Sequence, residues 1–290
     1  MPKTIKYQFR YLAKRYLNYH IMDLNITNKV ALITGSDSGI GMATAKVLLA
    51  HGVKVILSDI DKEKLETSAD ELRNLYNEAI VRPIVANVAD NQSVLSMAAL
   101  AESEFGGIDI LINCAGARGA AGDFLTLTDE DWQETIDTDL LGAVRVCRAF
   151  IPQLQKKGWG RVILIASENA YQPYEEESPY NACKAGIINL SKCLSRSYSK
   201  DGLLFNCVSP AFVETPMTDA MMDELAKEHG TSREEAVKWF LKNKRPNLAV
   251  GRRGKPEEVA AVIAFLVSEQ ASFVNGANYR VDGGAVESAF

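Results

Sequence analysis

The feature that most constrains the fold is a regular alternation of short apolar runs with helical patterns, which starts near Lys29 and continues through most of the chain. The apolar runs predict strands at Val30–Thr34, Lys54–Ser58, Val81–Asn87, Ile110–Asn113, Arg161–Ser167 and Leu203–Val208. Each run is apolar throughout and does not alternate with polar residues, as expected of strands covered on both faces. Repeated strand–helix–strand units predict a single Rossmann-type α/β domain with a doubly wound, mostly parallel sheet of about seven strands.

This rhythm has no linker in it, so we predict one domain over residues 25–290. Helical patterns separate the predicted strands: they run from about Gly39 to His51 and begin at Lys62, after Asp90, at Asp129 and near Pro179. The one departure is the segment 212–253, which is rich in Met and charge and contains a helical pattern from Ser232 to Lys242. An insertion at this position is typical of a lid or loop over a substrate site.

The first 24 residues form a separate basic arm. Residues 1–22 carry the basic side chains of Lys3, Lys6, Arg10, Lys14 and Arg15 and contain no acid. The arm lacks the unbroken apolar core of a secretory signal. Its composition is typical of an organelle presequence, of a surface-binding arm, or of an arm that packs on the domain or on a neighbouring subunit.

Composition excludes several classes of protein. The net charge of −5 gives no basis for a nucleic-acid partner, and no apolar run approaches the length of about 20 residues that a membrane span needs. The five cysteines are an odd number, widely spaced and without a Cys-x-x-Cys pair, which predicts a reducing compartment, the cytoplasm. Three scattered histidines give no metal site.

A glycine-rich turn follows the first predicted strand and opens the first helix. It contains Gly35, Ser38, Gly39, Ile40 and Gly41. Glycines at such a turn let the backbone approach a pyrophosphate, and the helix N-terminus supplies N–H donors to it. We therefore predict that these residues bind a dinucleotide.

An acidic residue, Asp59, ends the second predicted strand 24 residues after Gly35. A carboxylate there can bond the adenosine ribose hydroxyls and repels a 2′-phosphate. Because no Arg or Lys lies between Ser36 and Ser38 to offset that repulsion, we predict NAD(H) as the cofactor. The alternative is that Asp59 caps the next helix, but Asp61 is better placed for that role.

Tyr180 and Lys184 are four residues apart at the start of a predicted helix and therefore lie on one face of it. A phenol is a poor base at neutral pH, and a neighbouring ammonium lowers its pKa toward the range that a general acid/base needs. Ser167 closes the fifth predicted strand 13 residues earlier, where strand ends line the ligand crevice. Together these three residues predict a catalytic group.

From about Asn25 to Gly284 the chain resembles the short-chain dehydrogenase/reductase family. The ordered motifs are the glycine turn, Asn113-Cys114-Ala115-Gly116, Ser167, Tyr180 with Lys184, and Val281-Asp282-Gly283-Gly284. The resemblance implies an oxidoreductase that moves a hydride between NAD(H) and a CH–OH/C=O group of a small organic substrate. It also implies a homo-oligomer, most commonly a tetramer.

The resemblance assigns roles to individual residues. Tyr180 would be the general acid/base, Lys184 would bind the nicotinamide ribose and lower the pKa of Tyr180, and Ser167 would bond the substrate oxygen. Further residues implied to contact the cofactor are Asn87 and Val88 beside the adenine, Asn113, Ala115 and Gly116 beneath the cofactor, and Pro210, Val213 and Thr215 near the nicotinamide.

Three positions depart from the family pattern. The usual Asn in the helix after the fourth strand is Asp139, which can accept a hydrogen bond from water or from Lys184 but cannot donate one, so the family's proton relay through Lys184 is in question. Asn87 replaces a common Asp, and Ala211 replaces the Gly that usually follows Pro210.

Two alternatives stay open. A reductase of acyl-carrier-bound 3-oxo groups could dock its acidic carrier on Arg145 and Arg148, and a nucleotide-binding regulator without turnover would be consistent with Asp139. The substrate is not identified, because Arg118 would favour an anion near the site whereas the acidic run 175–177 would disfavour one.

Overall fold

Seven strands form the centre of the molecule in the computed structural model, which describes residues 23–76 and 80–289. The strands are β1 (Val30–Thr34), β2 (Lys54–Asp59), β3 (Val81–Val85), β4 (Ile110–Asn113), β5 (Gly160–Ile165), β6 (Leu203–Pro210) and β7 (Asn278–Val281). All neighbouring strands pair in parallel, in the order β3-β2-β1-β4-β5-β6-β7. The predicted doubly wound parallel sheet is confirmed. All but the last two residues of the basic arm predicted over 1–24 lie outside the described residues.

Helices cover both faces of this sheet. They are α1 (Gly39–Ala50), α2 (Lys62–Leu75), α3 (Asn91–Phe105), α4 (Asp129–Asp139), α5 (Leu141–Lys157), α6 (Ser178–Tyr198), α7 (Pro216–His229), α8 (Arg233–Asn243) and α9 (Pro256–Leu266). The buried side chains of α1, α2 and α9 pack in one cluster on one face, and those of α3, α5 and α6 pack in a second cluster on the other.

The continuous apolar character of the strands follows from this double covering. In β1, Ala31 and Ile33 point into the first cluster, whereas Val30 and Leu32 point into the second, and all four are nearly inaccessible to solvent. A strand buried on both faces has no solvent-facing position that polar residues would fill.

Side-chain hydrogen bonds fix where several helices begin. Asp61 is the N-cap of α2 and accepts from the Lys64 N–H at 3.1 Å, so the expectation that Asp61 caps this helix is confirmed and Asp59 is left for another role. Asp90 caps α3 in the same way. Predicted strand ends were too long at two places: β3 stops at Val85, and β5 stops at Ile165, two residues before Ser167.

The segment 212–253 leaves the sheet after β6, forms two helices and returns to its starting point before α9. The helix predicted over Ser232–Lys242 is present as α8, but α7 was not predicted. The two ends of the segment meet, because Val213 pairs with Gly254 and the Phe212 carbonyl accepts from the Gly254 N–H at 3.0 Å. The buried Arg253 guanidinium lies 2.7 Å from Asp219 on α7 and fixes the helix start to this closure.

Candidate active site

The cofactor cavity lies at the carboxyl ends of β1 and β4, where Thr34 pairs with Asn113. The chain runs from β1 to β2 on one side of this pair and from β4 to β5 on the other side. The two connections diverge, which opens a crevice between them. The cavity has a volume of about 450 Å³. Its lining includes nearly all the predicted cofactor and catalytic residues, namely Gly35, Ser38, Gly39, Ile40, Gly41, Asp59, Asn87, Val88, Ala115, Gly116, Ser167, Tyr180, Lys184, Pro210, Val213 and Thr215.

The glycine turn is shaped for close backbone approach. A Cβ on Gly41 would lie 2.1 Å from the Gly35 carbonyl oxygen, so no larger residue fits there. Gly35 has a φ of +64°, a conformation that favours glycine. The Ser38 side chain, at the N-cap of α1, makes no capping bond, which leaves the first N–H groups of α1 directed at the cavity. This end of the cavity therefore fits the pyrophosphate of a dinucleotide.

Two carboxyl groups, those of Asp59 and Asp37, lie together at the end of the cavity predicted to receive the adenosine. Asp59 accepts from the Ile60 N–H at 2.8 Å and from the Asp37 N–H at 3.3 Å. Burial raises the pKa of Asp59, with a further contribution from the nearby charge of Asp37. Asp37 also lines the cavity and was not predicted to contribute. The local field at this end is therefore more negative than Asp59 alone would make it.

Asn113 and Asp139 were predicted in the site but lie behind the cavity wall. Asn113 is buried at the end of β4, where its amide oxygen accepts from the Thr34 hydroxyl at 3.2 Å. Asp139 ends α4 with a side chain of 0% exposure and lies 2.9 Å from Lys184 Nζ. Both residues therefore act, in this structure, on residues that line the cavity.

Lys184 and Asp139 form a buried ion pair at the site, with side-chain exposures of 6% and 0%. A Cβ on Gly116 would lie 2.7 Å from Asp139 Oδ1 and 3.2 Å from Lys184 Nζ, so the loop after β4 passes directly over the pair. The next residue in that loop, Ala117, donates its N–H to Asp139 at 3.3 Å. The departure at position 139 thus places a full negative charge where the family pattern has a neutral amide.

The charges around Tyr180 act in opposite directions. Burial raises the pKa of Tyr180, the Lys184 ammonium lowers it, and the carboxylates of Asp139 and Glu168 raise it, with a net result above its ordinary value. Burial lowers the pKa of Lys184, but Asp139 and Tyr180 raise it, with a net result above its ordinary value. The expected effect of Lys184 on Tyr180 is present, and Asp139 counteracts part of it.

Sequence reasoning missed a buried polar group beside Ser167. Ser167 caps a short 3₁₀ turn, and its hydroxyl lies 3.0 Å from Glu168 Oε2 and 3.0 Å from Asn169 Oδ1. Arg245, which follows α8, approaches Glu168 at 3.9 Å and Glu177 at 3.3 Å. The signal in the sequence was a carboxyl directly after a predicted catalytic serine, at a position where a strand end is buried.

The arginines considered as anion contacts have partners within the chain. Arg145 donates to the Asp137 carbonyl oxygen at 2.9 Å and to its carboxylate at 2.7 Å. Arg148 donates to Asn91, and Arg118 pairs with Glu224 across an exposed gap of 3.2 Å. These contacts weaken the case for a carrier-docking site at Arg145.

Among the described residues, no helix is long and apolar enough to cross a membrane. No cluster of three or more His, Cys, Asp or Glu side chains in the described part of the chain is arranged to hold a metal ion. The five cysteines are free thiols, and burial raises the pKa of the cavity-lining Cys114 to about 12, which makes it an unreactive wall residue.

Comparison with known proteins identifies the family. A family model described as enoyl-(acyl carrier protein) reductase matches residues 35–286. The chain belongs to the short-chain dehydrogenase/reductase family. It is an oxidoreductase that transfers a hydride between a nicotinamide cofactor and a CH–OH/C=O group.

Its relatives act on varied substrates. The chain is 34% identical to a 3-oxoacyl-(acyl-carrier-protein) reductase of Thermotoga maritima over 91% of its own length and 100% of the relative's. It is 34% identical to a cyclohexanol dehydrogenase of Acinetobacter over 91% and 97% of the two chains. The structure of L-sorbose reductase from Gluconobacter frateurii, complexed with NADPH and L-sorbose, superposes with a TM-score of 0.87 at 33% identity, covering 92% and 100% of the two chains.

The buried ion pair generates a stability prediction. Asp139→Asn leaves the buried Lys184 ammonium without a counter-charge, and removing one partner of such a pair costs about 3–5 kcal/mol of unfolding free energy. The loss is measured by urea denaturation. Asp137→Asn, on the same helix but partly exposed, is the matched control and should lose at most about 1 kcal/mol. Equal losses in the two variants would show that the pair does not anchor the site.

Proposed function

We propose that the chain is an NAD(H)-preferring alcohol dehydrogenase and ketone reductase in which Ser167, Tyr180 and Lys184 are the catalytic residues. The observation that carries this proposal is that all three line one cavity together with the glycine turn. When bound, the nicotinamide ring supplies or accepts the hydride. The side chains supply the proton and the binding of the substrate oxygen.

In the reductive direction Tyr180 donates its phenolic proton to the substrate oxygen, and in oxidation its phenolate accepts that proton. Lys184 lowers the pKa of Tyr180 and holds the nicotinamide ribose, and its Nζ lies 5.2 Å from the centre of the Tyr180 ring. Ser167 donates a hydrogen bond to the substrate oxygen, which carries negative charge as the reaction proceeds. Asp139 holds the ammonium in place from behind.

The preference for NAD(H) rests on the paired acids Asp59 and Asp37. A 2′-phosphate at this end would meet two carboxyl groups, whereas ribose hydroxyls can donate to them. Among the described residues, the part of the cavity lining around Asp59 contains no Arg or Lys, and the nearby Lys64 is paired with Asp61 at 2.9 Å. L-sorbose reductase is described with NADPH, so the preference proposed for this chain differs from the cofactor bound in that neighbour and is open to direct measurement.

The substrate is a small alcohol or carbonyl compound. Reduction of acyl-carrier-bound 3-oxo groups is the second candidate, favoured by the similarity to the Thermotoga maritima enzyme and weakened by the internal bonds of Arg145. A regulator without turnover is a weaker alternative, because the three catalytic side chains are retained. A screen at the nicotinamide absorbance band with L-sorbose, other ketoses and polyols, cyclohexanol, steroids, hydroxy acids and acetoacetyl-CoA decides among them.

The cellular setting is part of the proposal. Free thiols in all five cysteines support a reducing compartment such as the cytoplasm. The basic arm predicted over residues 1–24 keeps organelle targeting and surface association as alternatives. We propose neither nucleic acid nor an integral membrane as a partner.

The cofactor preference is tested by titration calorimetry. We expect NAD⁺ to bind at least about tenfold more tightly than NADP⁺, a difference of about 1.4 kcal/mol. Asp59→Ala should narrow the ratio by relieving the repulsion of the 2′-phosphate. Asp61→Ala, two residues away and outside the cavity lining, is the control and should leave the ratio unchanged. Equal or tighter NADP⁺ binding by the wild-type protein would refute the preference.

Tyr180→Phe should remove nearly all turnover while leaving NAD⁺ binding nearly intact, because only the proton-exchanging hydroxyl is lost. General acid/base catalysis is worth about 10²–10⁴-fold in rate. Steady-state kinetics with the fastest substrate of the screen measures the loss. Tyr171→Phe, at an exposed tyrosine outside the cavity, is the control and should keep wild-type turnover. Retention of more than about a tenth of the activity by Tyr180→Phe would assign the proton to another group.

We expect a homotetramer. Members of the family commonly associate through the helices that hold Asp139 and Tyr180 and through the C-terminal strand. Exposed apolar side chains such as Phe124 and Leu125, at 61% and 89% exposure, support burial by a second copy. Light scattering at micromolar concentration should give four times the chain mass of 31.8 kDa. A strictly monomeric mass would contradict the proposal.

A further inference from the structure

A buried carboxyl, Glu168, lies directly behind Ser167. Its residue exposure is 3%, and its Oε2 is 3.0 Å from Ser167 Oγ. It does not line the cofactor cavity and has no part in the roles proposed above. Burying a carboxyl away from water costs free energy. A buried carboxyl in contact with a proposed catalytic hydroxyl is therefore a candidate for setting the direction in which that hydroxyl donates its hydrogen.

The Ser167 hydroxyl has a single hydrogen. Two of its neighbours, Glu168 and Asn169, are acceptors outside the cavity lining, whereas the Tyr180 phenol is a hydrogen-bond neighbour within that lining. Besides Glu168, Asn169 Oδ1 lies 3.0 Å away. The orientation of this amide is set because its nitrogen donates to Glu177 at 2.6 Å and to Asn181 at 2.8 Å. When Glu168 is ionised, its carboxylate is the stronger acceptor and draws the serine hydrogen away from the cavity.

Charged and titratable groups from several parts of the chain face Glu168. Among the described residues, Arg245 is the cation paired with Glu168, and it is shared, because it also pairs with Glu177 and stacks 3.2 Å above the centre of the Tyr174 ring. Glu177 adds a negative charge, the Tyr174 phenol is a hydrogen-bond neighbour of Glu168, and the Tyr180 phenol interacts electrostatically with Glu168. The positive charge near Glu168 is therefore only partly available to it.

This setting moves the titration of Glu168 toward neutral pH. Burial raises the pKa of Glu168 to about 7, against the opposing effects of Arg245 and the Ser167 hydroxyl. A carboxyl in that range exchanges its proton under ordinary working conditions, unlike an exposed glutamate.

We propose that Glu168 is a positioning residue for Ser167, whose protonated carboxyl donates to Ser167 Oγ and leaves the serine hydrogen free for the substrate oxygen. Its ionised form accepts that hydrogen and withdraws it from the substrate. When Glu168 is protonated, the neutral Asn169 oxygen is the remaining, weaker competitor for the serine hydrogen. The inference rests on the proposed role of Ser167 and adds a protonation state on which that role depends.

The pH dependence of reduction tests this control. In the wild-type enzyme kcat/KM for the fastest carbonyl compound of the screen should fall as pH rises through about 7, because the proton on Glu168 is lost. Glu168→Gln carries a permanent donor in the same place, so the fall should vanish, and at pH 8 the variant should exceed the wild type by roughly tenfold.

Glu177→Gln is the matched control. Like Glu168, Glu177 is a carboxylate partner of Arg245, but it has no contact with the Ser167 hydroxyl. It should keep the fall and move it to lower pH, because the charge of Glu177 raises the pKa of Glu168. A fall that persists unchanged in Glu168→Gln would overturn the proposal.

Carbon-13 NMR of protein labelled at the glutamate carboxyls gives a readout that needs no substrate. We expect one signal that titrates near pH 7 and is missing from Glu168→Gln. A Glu168 signal that titrates near the ordinary value of about 4.3 would overturn the inference. Full activity of Tyr180→Phe would instead overturn the proposed catalytic roles while leaving this titration in place, so the two failures are distinguishable.

Discussion

The site depends on the ion pair between Lys184 and Asp139, which joins three separate segments of the chain. Lys184 comes from α6, Asp139 ends α4, and the loop after β4 covers the pair at Gly116 and Ala117. A buried ammonium is costly without a partner, so the position of each segment is tied to that of the others. The same pair determines the electrostatic surroundings of Tyr180, since its two charges act on the phenol in opposite directions.

The sheet and most of the cofactor cavity could be predicted because they follow from local patterns. Strands buried on both faces are continuous apolar runs, and β1 shows this with side chains in both core clusters. The turn from Gly35 to Gly41 is equally readable, because close packing between two backbone segments excludes any Cβ at Gly41. Parallel strands then bring their carboxyl ends to one edge, so Asp59, Ser167 and Tyr180 meet there without further information.

Features that depend on distant partners could not be predicted in this way. The resemblance identified Asp139 as a departure, but its direct contact with Lys184 emerges only when α4 and α6 pack together. Glu168 directly follows the predicted catalytic serine in the sequence, but its burial and its contact with Arg245, which lies 77 residues further along, appear only in the fold. Helix α7 was missed because few of its residues are buried, Met222 and Ala226 among them, so its apolar periodicity is weak.

The bridge between Val213 and Gly254 joins the two ends of the segment 212–253 beside the sheet, so changes in length between them need not disturb the strands. The two ends of the segment are fixed together by this bridge. The free-energy cost of closing the chain between them grows only slowly with its length, by about 0.6 kcal/mol for each doubling. Helices α7 and α8 also pack largely on a small core of their own, around Phe212, Met222 and Phe240. Insertions between α7 and α8 should therefore cost little in folding free energy, whereas Val213, Thr215 and Arg245 are tied to the cavity or to Glu168 and are less free to change.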